Sequence, residues 1–512
     1  MPSETLVKPR ILAIDAGTTG VTALIVEETG MVGAKGYREF PQRFPRPGWV
    51  EHEPEDWWTA MLGACEEAFG TAGVRADSLA AIGIANQRET TVVWERGSAR
   101  RIYPAIVWQD RRTAPMCEDL RREGWDVRIG ERTGLVVDPY FSATKLAWIL
   151  EHVPGARLEA KSGRLAFGTV DSYLLARLTG GAVHATDRTN ASRTMLYDIH
   201  RLDWDEEILE RLRIPRQVLP VVLPSSGRFG ITEPQAFFGA RLPIAGLAGD
   251  QQAALFGQAC FAPGSAKNTY GTGSFVLMNT GERPVRSGTG LITTIACGRN
   301  DRPTYALEGS IFVTGAAIQW LRDGLRIIDR AAQAGPLAES VPDAGGVYFV
   351  PALAGLGAPW WDPYARGTIV GLTRGTARPH LVRAAVESMA YQTRDVVEAM
   401  QADASVPLLE LKADGGGSVM DVLLQFQSDL LGVPIRRSRV QETTALGAAY
   451  LAGLGEGVWA STDELAGHWE LDREFLPGDR GEADRRYREW RRAVDRSLRW
   501  APAEAQEQAP DG

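Results

Sequence analysis

The residues able to do chemistry gather around two turns rich in glycine and threonine. The first follows the apolar run Ile11–Ile14: Asp15, then Ala16-Gly17-Thr18-Thr19-Gly20, then apolar Val21–Val26. The second, Asn268–Ser274, leads into Phe275–Met278, and about twenty residues upstream Asp250 and Gln251 follow the small apolar run Ile244–Ala248. Glycine lets backbone N–H groups approach an anion closely, and threonine hydroxyls add donors. A carboxylate beside such a turn can accept the proton of an attacking hydroxyl. Two devices of this kind in one chain imply a duplicated fold gripping a polyphosphate from two sides, and phosphoryl transfer as the chemistry. Asp250 also suits a second role, capping the helix that follows it.

The elements that position these residues alternate between short apolar strands and amphipathic helices. Strands are expected at Ile11–Ile14, Val21–Val26, Leu79–Ala85 (resumed by Thr91–Trp94), Ile244–Ala248, Val347–Pro351 and Leu408–Ala413. The second turn sits in a hairpin, Thr269–Thr280. Helical spacing covers Trp57–Phe69, Ala143–Leu150, Gln251–Gln258, Ile311–Leu325, Leu381–Met400 and Val419–Leu431. The last of these follows Asp414-Gly415-Gly416-Gly417, a glycine turn that leaves backbone N–H groups at a helix start. Tyr487, Trp490, Val494 and Leu498 share one helical face among many arginines, the pattern of a docked helix with a solvated outer face.

At 512 residues the chain is too long for one core, so two large domains are expected, divided near Phe261–Gly264: 1–256, 257–500, then a disordered tail, 501–512. The net charge of −8 argues against nucleic acid as main partner. Cys65, Cys117, Cys260 and Cys297 lack metal or disulfide spacing. No run is long enough to span a bilayer, and the expected location is the cytoplasm.

Segments in order along the chain carry a resemblance: PGWVEH (Pro47–His52), NQRETT (Asn86–Thr91), AIVWQ (Ala105–Gln109), DPYFSATK (Asp138–Lys145), TNASRTMLYDIH (Thr189–His200), AGDQQAALFGQ (Ala248–Gln258), KNTYGTGSF (Lys267–Phe275) and GLGAPWWDPYARG (Gly355–Gly367). From about Ile11 to Arg499 the chain resembles the FGGY family of carbohydrate kinases, within the actin/Hsp70/hexokinase-like ATPase superfamily; NQRET and DPYFS narrow the likeness to its glycerol-phosphorylating branch.

The resemblance implies an α/β fold of two duplicated ribonuclease H-like domains around a deep interdomain cleft. It implies transfer of phosphate from Mg²⁺-ATP to glycerol, giving sn-glycerol 3-phosphate, in a homo-oligomer (dimer or tetramer). Asp250 would be the general base. Arg88, Glu89, Tyr140, Asp250 and Gln251 would ring the polyol, with Trp108 and Phe275 against its carbons. Arg88 and Glu89 read as a donor–acceptor pair matched to hydroxyls that both donate and accept. Thr18, Thr19, Gly20, Thr272 and Gly273 would meet the nucleotide phosphates. Gly315, Gln319, Gly416 and Met420 would line the nucleoside pocket, although helix packing explains them equally well. Asp15 would be the magnesium-linked carboxylate. The alternatives are a kinase for another small polyol or ketose, and a non-catalytic sugar- or nucleotide-binding regulator.

The pattern also breaks. Ala16, Gly20, Val21 and Thr22 stand where the family has glutamine and a Ser-Ser-Arg run, so a charge-assisted phosphate contact is missing. Met420 takes the place of an asparagine, which implies a changed adenosine contact. Gly227–Leu242 lacks a Gly/Lys-rich anion cradle and no histidine lies between His200 and His380, so control by fructose 1,6-bisphosphate or phosphohistidine is not expected.

Overall fold

The computed structural model describes residues 9–298 and 302–501. The expected disordered tail lies, past Ala501, outside them. Two sheets of like topology divide the chain. In the first, β1 (Arg10–Ala16), β2 (Gly20–Glu27) and β3 (Val32–Glu39) form an antiparallel meander. β4 (Ala81–Asn86) adds parallel to β1, β6 (Pro243–Gly249) parallel to β4, and β5 (Ser226–Ile231) antiparallel to β6. The order is β5-β6-β4-β1-β2-β3.

The second sheet repeats this logic. β7 (Ser265–Tyr270), β8 (Ser274–Gly281) and β10 (Thr304–Ile311) form the meander, with β9 (Ile292–Ala296) on its edge. β11 (Glu410–Asp414) and β12 (Ile435–Ser438) follow in parallel, and β13 (Leu471–Phe475) closes the far side. Each glycine–threonine turn is therefore the tip of the first hairpin of its sheet. Asp15 pairs with Thr22 across one hairpin as Thr269 pairs with Phe275 across the other.

Helices form where apolar spacing predicts them: α1 (Pro54–Ala72), α2 (Ser142–His152), α3 (Asp250–Gly257), α4 (Gly315–Asp323), α5 (Arg378–Ala404), α6 (Asp421–Leu431) and, later in the chain, α8 (Arg480–Ser497); α7 (Thr443–Gly455) is a helix the spacing does not predict. On α8, Tyr487 and Trp490 are buried and both donate to Asp395, so the apolar face docks and the arginines face out. Two expectations need correcting. Thr91–Trp94 does not resume β4: Val92–Glu95 turns away to pair with Leu165–Gly168 in a separate two-stranded sheet. Ile311 ends β10, and the helix expected from there begins only at Gly315. Three residues, Phe312, Val313 and Thr314, carry the chain from the strand into the helix, and the Thr314 N–H is taken by the Thr272 carbonyl (3.0 Å) of the second turn.

The two halves are joined by more than a linker. α7, from the second half of the chain, lies on the first sheet and against α3. A Cβ on Gly447 would stand 1.9 Å from the Ala253 carbonyl oxygen, and one on Gly83 2.0 Å from that of Ala448. Only glycine permits backbones this close. At the other edge, Ile292, Ile295 and Tyr305 of β9 and β10 are buried in one cluster with Phe141, Leu196 and Ile199 of the first half.

Candidate active site

The polyol-site residues converge on the loop after β4. Gln87 ties this loop to the first turn: its N–H donates to the Ala16 carbonyl (2.8 Å) and its side chain to the Gly17 carbonyl (3.0 Å). Arg88 is 3% exposed and Glu89 1%. Glu89 has φ +62°, a left-handed conformation that costs a non-glycine residue about 1 kcal/mol or more. Its carbonyl is held there by the hydroxyls of Ser142 (2.9 Å) and Thr91 (3.0 Å).

Arg88 and Glu89 do not form an ion pair with each other; each takes its partners from elsewhere. Arg88 Nε meets Asp250 Oδ1 at 3.0 Å. Its Nη1 donates to Glu308 Oε2 (2.5 Å) and Gln252 Oε1 (3.2 Å), and its Nη2 to Glu308 Oε1 (3.3 Å). Glu89 accepts instead from Arg193 Nε at 2.6 Å, and Arg193 Nη2 lies 3.1 Å from Glu308 Oε1. Two guanidinium groups and three carboxylates thus interlock. Burial pushes the Glu89 carboxyl up, against the opposing pull of Arg193 and Arg88. In Glu308, burial acts the same way but is outweighed by Arg193 and Arg88, which hold it at about 2.

Asp250 is the first residue of α3; Gly249, not Asp250, occupies the cap position. The Asp250 side chain is 27% exposed, so the carboxylate remains reachable from solvent. Gln251 accepts from Lys267 Nζ, a lysine of β7 that is itself fully buried. Trp108 and Tyr140 meet edge to face with centroids 5.5 Å apart, Tyr140 lies under Arg193, and the Phe275 ring sits 5.9 Å from Arg88 Cζ. The predicted polyol residues therefore do come together. Lys145 fixes Tyr140 from behind, donating to the carbonyls of Pro139 (2.5 Å), Tyr140 (2.7 Å) and Phe141 (3.1 Å).

On the phosphate side, Asp15 ends β1 with Oδ1 sealed from solvent and without a hydrogen-bond partner. Burial, then the charges of Asp250 and Glu442, push its carboxyl up to about 8. Thr18 accepts from Trp108 Nε1 at 3.0 Å, and Thr19 is exposed. Gly20 has a packing reason of its own: a Cβ there would lie 2.6 Å from the Tyr37 hydroxyl. In the second half, the start of α4 folds back onto the 271–273 turn. Gly315 N–H donates to the Gly271 carbonyl (3.0 Å), and Ala316 N–H to that of Thr272 (3.0 Å). Thr272 is exposed, and Gly273 abuts the Ile311 carbonyl, where a Cβ would come within 2.4 Å. Gln319 is exposed on α4, and Gly416 is exposed with open space around it. Met420 is half-buried and packs towards Gly335.

Sequence reasoning passed over Arg193, Glu308, Gln252, Lys267 and Lys145 as site residues. The signal for Glu308 was a single acid inside the apolar strand Thr304–Ile311. A buried charge must have a partner.

The model for the FGGY family of carbohydrate kinases, N-terminal domain, matches residues 10–257, and that for its C-terminal domain matches 266–456. The chain belongs to the FGGY family of carbohydrate kinases. Among FGGY relatives, it is 59% identical to a glycerol kinase of Symbiobacterium thermophilum, covering 96% of this chain and 99% of that one. It is 57% identical to glycerol kinase 2 of Thermotoga maritima, with the same coverage of both. Among solved structures, it superposes on Plasmodium falciparum glycerol kinase with ADP at TM-score 0.90 and 36% identity, covering 96% of this chain and 98% of that one. The FGGY fold is shared more widely: a xylulose kinase from Lactobacillus acidophilus reaches TM-score 0.84 at 22% identity, covering 96% of this chain and 99% of that one.

Proposed function

We propose that this chain is an ATP-dependent glycerol kinase making sn-glycerol 3-phosphate. The observation that carries the reading is the carboxylate of Asp250. It is solvent-reachable, held by Arg88 Nε at 3.0 Å, and close enough to Asp15 to raise that group's affinity for a proton. In the proposed reaction a terminal hydroxyl of glycerol gives its proton to Asp250. Its oxygen bonds the γ-phosphorus while the bond from that phosphorus to the β–γ bridging oxygen breaks, leaving ADP. General-base help of this kind contributes about 10²–10⁴ in rate. Arg88, Glu89, Tyr140 and Gln251 would hold the hydroxyls, and Trp108 and Phe275 the carbons. Thr18, Thr19, Gly20, Thr272 and Gly273 would meet the phosphates, and Gly315, Gln319, Gly416 and Met420 the nucleoside.

The orphaned, buried Oδ1 of Asp15 beside a second carboxylate suits Mg²⁺, which is commonly held by one or two carboxylates plus phosphate oxygens. Asp15 would hold the ion, which when bound neutralises phosphate charge. Division at 256/257, a dimeric or tetrameric assembly and a cytoplasmic location are proposed with this reading. Among the described residues, no helix is long and apolar enough to cross a membrane. The test is ADP release with and without glycerol, beside Asp250→Asn and a panel of pentuloses, xylitol and erythritol. Glycerol-dependent turnover that Asp250→Asn abolishes, with glycerol affinity kept, is the expected result. Turnover indifferent to glycerol, or faster on a five-carbon substrate, would overturn it.

A further inference from the structure

Glu308 belongs to the second sheet, yet its side chain is fully buried between Arg88 and Arg193 of the first half. The strand that carries it is not free to move away. Tyr305, three residues earlier, donates to the Ile199 carbonyl at 2.7 Å. On neighbouring β9, Thr293 N–H donates to the Gly134 carbonyl (2.9 Å), and Thr294 Oγ1 lies 3.0 Å from Ser192 Oγ. Gln252, the other residue gripping Arg88 Nη1, donates in turn to Thr294 Oγ1 at 3.0 Å. The edge of the second sheet is thus fastened to the first half and presents the Glu308 carboxylate to the Nη end of Arg88, while Gln252 of α3, itself tied to that edge through Thr294, adds an amide oxygen.

The opposite end of the same guanidinium faces Asp250. A guanidinium favours a two-bond, parallel contact with a carboxylate wherever one is in reach. Here both of its Nη groups are taken by Glu308, so Asp250 receives Nε alone and keeps an oxygen for other use. We propose that Glu308 is a positioning residue for the polyol site: it holds Arg88 by the Nη end, which aims the guanidinium at substrate hydroxyls and keeps it from clamping Asp250. Its full ionisation, with the carboxyl held at about 2, fits a permanent anchor rather than a proton carrier. Glu308, with Glu89 on the far side of Arg193, supplies the counter-charge that lets the two arginines share one dry site.

This inference rests on the proposed glycerol kinase reaction, so wild-type turnover is measured alongside: its absence would sink that reaction, whereas intact wild-type turnover with unaffected variants would sink the role of Glu308 alone. With Glu308→Gln, the Nη end loses its charged partner and Arg88 closes on Asp250. Expected are a fall in kcat of about 30-fold or more and a rise in KM for glycerol of about tenfold, with KM for ATP within about twofold. Glu308→Asp, which keeps the charge, should recover a large part of the loss. The double variant Glu308→Gln/Arg193→Met removes a buried charge from each side and restores the charge balance. It also covers the case in which Glu308→Gln alone fails to fold. The double variant should stay as slow as Glu308→Gln. Recovery of activity in the double variant, equal rises in both KM values, or wild-type kinetics in Glu308→Gln would each overturn the role.

Discussion

Replacing Asp15 with asparagine tests the electrostatics of the phosphate side without substrate chemistry. The Asp15 carboxyl is pushed from its ordinary 3.8 to about 8, mainly by burial and then by Asp250 and Glu442. The folded state therefore binds a proton that the unfolded state releases throughout the window from about 4 to about 8. Stability from this group is complete below its unfolded value and is lost as pH rises through the window. The ceiling is about 1.4 kcal/mol per pH unit, or roughly 3 kcal/mol between pH 5.5 and 7.5. Oδ1 is sealed but the residue as a whole is only half-buried, so solvent screening leaves about half of that, ~1.5 kcal/mol. For halves of this size, that corresponds to about 3–6 °C in melting temperature. The assay compares melting of wild type and Asp15→Asn at the two pH values without ligand. The wild type should lose about that much more than the variant on going to pH 7.5. Mg²⁺-ATP, which competes with the proton, should bind the wild type more tightly across the same rise. Parallel pH slopes for the two proteins would refute the argument that Asp15 is held protonated by its surroundings.

Lys145→Met should raise KM for glycerol about tenfold while sparing KM for ATP, because three carbonyls behind Tyr140 lose their donor, at ~1–3 kcal/mol each if left unpaired. Burial lowers the Lys145 ammonium to about 8, so wild-type KM for glycerol should climb above that pH while the variant's stays flat; matching profiles count against this role. Gly447→Ala should destabilise the protein by about 1–3 kcal/mol, since its Cβ would meet the Ala253 carbonyl at 1.9 Å; an unchanged thermal melt would show that the α3–α7 crossing yields freely. Fructose 1,6-bisphosphate at micromolar concentration should leave turnover unchanged; the two cations of Gly227–Leu242 already face carboxylates, Arg228 that of Glu456 and Arg241 that of Glu233, and inhibition in a dose series would contradict this.

The sequence by itself determined the local pieces. Apolar runs closed by Asp15 and by the second turn specify hairpins, because glycine and threonine leave little else for such a stretch to do. Helical spacing placed α1, α2, α3, α5 and α6 to within a few residues. The motifs named Arg88, Glu89, Tyr140 and Asp250, and the structure puts them around one site. The pairing of these groups was decided only by tertiary structure. Arg88 and Glu89 are neighbours in the chain, yet each takes its partner from far away: Glu308 lies 220 residues from Arg88, and Arg193 lies 104 from Glu89. Burial forces every charge to find a counter-charge, but which one depends on how β9 and β10 are fastened across the seam. The same holds for Val92–Glu95, whose composition suits any strand, and for α7, which carries no polar stripe because Ala445–Gly453 is buried against the first sheet and α3. Local sequence carries propensity and periodicity; contacts between segments hundreds of residues apart exist only once the two sheets have packed.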